Sequence, residues 1–111
     1  MSEKYWYKSG NPSKLEGEKK EKLLKAVRDE IDKVPKLKKA ITNVRYLRNW
    51  VYLYHASPFD ETKNEMLYRI AVFDEDYENC ALELPHRGSV IIHKEGTLKE
   101  CIEKVQDAWY L

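Results

Sequence analysis

From Lys33 to Phe59 the chain carries six bases, Lys33, Lys36, Lys38, Lys39, Arg45 and Arg48, and no acid. Tyr46, Trp50, Tyr52 and Tyr54 fall within the same stretch. Cations take phosphates and aromatic rings take unpaired bases, so residues 36–54 have the composition of a surface for RNA or DNA. Lys36, Lys38, Lys39, Arg45, Arg48, Trp50, Tyr52 and Tyr54 are the residues expected to carry that contact. Arg45 and Arg48 lead the set, because a guanidinium offers planar donors that a phosphate accepts in pairs. Stacking further requires Trp50, Tyr52 and Tyr54 to share one face of a strand. The competing reading is ordinary: alternating aromatics pack in cores and across strands, and lysines solubilise loops.

A second cluster is acidic. Asp74, Glu75, Asp76 and Glu78 lie in Phe-Asp-Glu-Asp-Tyr-Glu-Asn, which superficially resembles the opening of a calcium loop. Asn79 stands where that loop needs glycine and Pro85 where it needs a bidentate Glu, so no metal is expected there. The segment reads instead as a hairpin tip, suited to a basic protein partner or to the basic half of a second copy of the chain.

Catalytic signals are thin. His55, His86 and His93 have no metal-ligand spacing, and no cofactor motif is present. A small metal-independent ribonuclease would need the fold to bring His55, His86 and Arg87 together, with histidine as acid and base and arginine on the phosphate. Cys80 sits in a strand pattern and Cys101 on an apolar helical stripe, positions that suit core thiols better than nucleophiles. Binding is therefore the expected activity. The candidates are nucleic acid through residues 36–54, or a protein adaptor or inhibitor using the tip at 74–78.

The elements that position these residues follow from periodicity. Ser13 and Glu16 have capping-box spacing, and Leu24, Val27, Ile31 and Val34 form a helical stripe that Pro35 ends, with Gly17 a mild cost in the first turn. A short helical turn over Lys36 to Ala40 precedes β-rich text. Val44 to Leu47 and Trp50 to Tyr54 alternate with period two, with Arg48-Asn49 either a turn or a bulge between them. Met66 to Phe73, Cys80 to Leu84 and Ser89 to His93 read as further strands. Thr97 and Glu100 repeat the capping-box signal before Leu98, Cys101, Ile102, Val105, Ala108 and Trp109, an amphipathic helix. The expected fold is a two-layer α+β sandwich, with an N-terminal helix, an antiparallel meander of four to five strands and a C-terminal helix. Both helices are expected on one face, over Ile70, Leu82 and Val90.

At 111 residues the chain has the size of one domain, expected over 13–111 behind an N-terminal arm at 1–12 that contains Tyr5, Trp6 and Tyr7. With 42% hydrophobic and 35% charged residues it is neither disordered nor fibrous in composition. The formal charge of +1 conceals an asymmetry, since residues 1–56 are net +7 and the remainder net −6. That asymmetry also permits self-association. No apolar run is long enough for a membrane span, and the two cysteines lack a disulfide framework, so a cytoplasmic protein without membrane contact is expected.

Overall fold

A computed structural model describes residues 14–56, 60, 62–86 and 89–107. The arm at 1–12, Ser13, Arg87, Ala108 and Trp109 lie outside the described residues. The elements run α1 (Glu18–Asp32), α2 (Pro35–Ala40), β1 (Ile41–Leu47), β2 (Trp50–Ala56), β3 (Asn64–Val72), β4 (Cys80–His86), β5 (Ser89–Gly96) and α3 (Leu98–Val105). The fold is α+β, as the periodicities imply. The five strands form one antiparallel sheet in the order β1-β2-β3-β4-β5.

Helix α1 starts later than its capping-box text suggests. Gly17 occupies the N-cap with φ 59° and ψ −128° and makes no side-chain cap. A helix cannot run through that conformation, which glycine reaches without strain, so Gly17 is a boundary and not an interior cost. The buried stripe is Leu23, Val27 and Ile31, with Leu24 half-buried at its flank. Pro35 does two jobs. It bars continuation of α1 and then opens α2 at the first helical position, where a missing N–H costs nothing. Helix α2 drives Leu37 into the same core.

Helix α3 follows its sequence signal closely. Thr97 Oγ1 accepts from the Glu100 backbone N–H at 3.1 Å and Glu100 Oε1 accepts from the Thr97 N–H at 3.0 Å. Behind this cap Leu98, Cys101, Ile102 and Val105 are all buried. They join Leu23, Val27, Ile31 and Leu37 with Val51, Leu53, Ile70, Val72, Cys80 and Leu82 in one cluster, so all three helices cover the same face of the sheet. Ile70 and Leu82 lie in that layer as expected, while Val90 is only half-buried.

Arg48 and Asn49 form a two-residue turn between β1 and β2, with φ of 52° and 77°. Positive φ at both central positions marks the turn whose twist matches that of paired strands. It holds β2 against β1 without a bulge at this end, and β2 alternates strictly: Val51, Leu53 and His55 face the helices. Trp50, Tyr52 and Tyr54 face the other way. Among the described residues no helix is long and apolar enough to cross a membrane.

Candidate functional site

Strand register builds the open face row by row. Arg45 of β1 lies opposite Tyr52 of β2, Tyr52 opposite Arg69 of β3, and Arg69 opposite Glu83 of β4. The next row is Leu47, Trp50, Ala71 and Ala81. On the other side of the first row, Asn43, Tyr54 and Met66 are aligned. Directly paired residues project to the same side of an antiparallel sheet, so these three rows make one surface. Among the described residues none of the helices packs on it.

Side chains then tie the rows together. Trp50 Nε1 reaches across β3 to donate to Glu83 Oε2 at 2.9 Å. Ala71 and Ala81, the residues it passes, are short enough for a ring to lie above them. Arg69 Nε donates to Glu83 Oε1 at 2.8 Å, and its guanidinium carbon sits 4.2 Å from the centre of the Trp50 ring. A second Arg69 nitrogen donates to the Tyr52 hydroxyl at 3.4 Å. Glu83 is fully buried although it belongs to the open face, and both of its oxygens accept. Burial pushes its carboxyl up to about 8. The protein thus holds an acid at the floor of an aromatic and cationic surface.

Of the residues singled out by sequence, Arg45, Trp50, Tyr52 and Tyr54 come together here. Arg48 lies exposed in the adjoining turn. Lys36, Lys38 and Lys39 do not join them. They belong to α2, in the helical layer, where Lys36 Nζ donates to the Gln106 carbonyl just beyond α3 at 3.1 Å. Arg69 and Glu83 were not singled out. Their signal was a lone base in β3 and a lone acid in the apolar text of β4, and pairing register is needed to see that these two meet.

The acidic tip is partly consumed by its own fold. Asp74 accepts from the Glu78 N–H at 3.0 Å and from the Asn79 side chain at 2.7 Å, which closes the β3–β4 connection. Glu75 pairs with Lys19 of α1, and that hydrogen bond and charge hold its carboxyl below the usual range. Asp76 and Glu78 are exposed. His55 is buried on the helix-facing side of β2, away from the open face. Arg87 and the His86 side chain, two of the three ribonuclease candidates, lie outside the described residues. His93 Nδ1 lies 3.3 Å from the Tyr68 hydroxyl, with the two rings edge to face.

Among the described residues no three His, Cys, Asp or Glu side chains gather to hold a metal ion. Cys80 and Cys101 are unbridged and buried, and burial pushes the Cys101 thiol up to about 12 and that of Cys80 higher still. Neither is a thiolate at neutral pH. Comparison with family models, with curated proteins and with solved structures finds no match for this chain.

Proposed function

We propose that the open face of the sheet binds single-stranded nucleic acid by charge and stacking, with little sequence preference and without chemistry on the strand. One observation carries the reading: Arg45, Tyr52 and Arg69 form a row across three strands, with Trp50 and Tyr54 to either side, on the face left uncovered by the helices. Arginine and aromatic residues presented together on a sheet are the chemistry that backbone phosphates and unpaired bases require. The three lysines of α2 lie outside this surface and are not part of the proposal. The acidic tip receives no separate role, because Asp74 and Glu75 are already engaged. Two cysteines without a disulfide framework support a reducing, cytoplasmic setting.

The test is fluorescence anisotropy with labelled single-stranded RNA and DNA of unrelated sequence, starting near 50 mM salt, where charge contacts are least screened. Binding to all strands that weakens steeply as salt rises is the expected result. Absence of binding at low salt overturns the proposal, as does binding indifferent to salt.

A further inference from the structure

We infer that Tyr54 is the ring of this face on which an unpaired base stacks, and that Trp50 and Tyr52 belong to the framework beside it. This rests on the nucleic-acid reading and sharpens it. Of the three aromatics that β2 presents on the open face, two are already engaged. Trp50 donates its Nε1–H to Glu83 Oε2 at 2.9 Å and carries the Arg69 guanidinium 4.2 Å from its ring centre. Tyr52 is tied to the same arginine through its hydroxyl at 3.4 Å. Trp50, Tyr52, Arg69 and Glu83 therefore form one network, anchored on a fully buried carboxyl. A base arriving at Trp50 competes with a cation already on the ring.

Tyr54 lies outside that network. Among the described residues its side chain makes no hydrogen bond, ion pair or aromatic contact. Its cross-strand neighbours are Asn43 on β1 and Met66 on β3, and both are exposed. Asn43 Oδ1 accepts from the Val44 N–H at 2.9 Å, which holds that carboxamide to its own strand. Met66 arrives opposite Tyr54 through a register shift: Leu53 pairs with Tyr68 and Tyr54 with Met66, so the buried Leu67 is passed over. Such bulges re-aim side chains beside binding sites. The neighbour it supplies is an unbranched thioether, 36% exposed, that can adapt to a flat ring. Every base has a π-face, so a single stacking ring binds without selecting sequence.

The experiment uses the full chain and two labelled strands, a thymidine decamer and a decamer of abasic deoxyribose with the same number of phosphates. The parent should bind the thymidine strand at least about fivefold more tightly, the gain expected from one stacked base. Tyr54→Thr removes the ring and keeps a residue suited to a strand. It should shrink that preference to below about twofold with the salt slope unchanged, because the phosphate contacts remain. Tyr54→Phe keeps the ring and should keep the preference. Each preference is a ratio measured on one preparation, so a partly unfolded variant does not distort it. If Tyr54→Thr retains the preference, if Tyr54→Phe loses it, or if the parent binds both strands equally, the assignment of stacking to Tyr54 is wrong while binding to the strand stands. If the parent binds neither strand at low salt, both readings fall.

Discussion

Glu83 is satisfied by two donors that could not satisfy each other. Trp50 and Arg69 both point hydrogens inward, and the acceptor between them lets a ring and a cation stack over the buried Ala71, Ala81 and Glu83. Its folded-state carboxyl titrates near 8 against an ordinary 4.5. The folded state then binds the extra proton across that interval, so this group's contribution to stability is complete below about 4.5 and is lost as pH rises through about 8. Urea denaturation across this range should show stability falling with pH, and Glu83→Gln should flatten that fall. A variant that keeps the full slope would place its origin elsewhere. The residue was legible only as an oddity, an acid in the run Cys-Ala-Leu-Glu-Leu. Trp50, Tyr52 and Tyr54 were legible as a shared face because period two needs no partner, whereas Arg69 and Glu83 depended on which strands lie side by side.

Element boundaries follow the same division between local and distant causes. Helix α3 was readable because Thr97, Glu100 and its apolar stripe lie within one short segment. Removing the cap with Thr97→Ala should cost about 1 kcal/mol in chemical denaturation. The start of α1 was misplaced because Ser13 and Glu16 imitate a cap, while the decisive feature is the backbone of Gly17. The β1–β2 turn holds Arg48 at φ 52°, a conformation that a side chain other than Asn or Gly adopts at a cost. Arg48→Asn should therefore raise stability by about 0.5–1 kcal/mol, read as a higher denaturation midpoint at unchanged slope. A loss of stability would mean that Arg48 makes contacts worth more than the strain.

At the scale of the molecule, three helices on one face of a five-stranded sheet place nearly all of the stabilising burial in one layer. Ile102 stands where α3 enters that layer and is 1% exposed. Ile102→Ala should cost about 2–5 kcal/mol by leaving a cavity that the surrounding leucines and valines cannot fill. A loss below about 1 kcal/mol would show a site able to collapse around the smaller side chain. The architecture was legible because short connections between alternating strands favour a meander and two apolar stripes need one common partner surface. Which bases share a surface was not, since Lys36 and Arg45 are close in the chain yet belong to opposite layers.

The strand order has a kinetic meaning. Every pairing in the sheet joins strands that follow one another in the chain, so each step of assembly closes a short loop. The sheet can zip from hairpin to hairpin, starting at the tight Arg48–Asn49 turn, and the entropy of each closure is small. The contact between α1 and α3 is different, because it joins the two ends of the described chain across the whole meander. A protein wired this way has low contact order in its strands and high contact order in its helical layer. The α1–α3 contact therefore carries the largest loop-closure entropy in the fold.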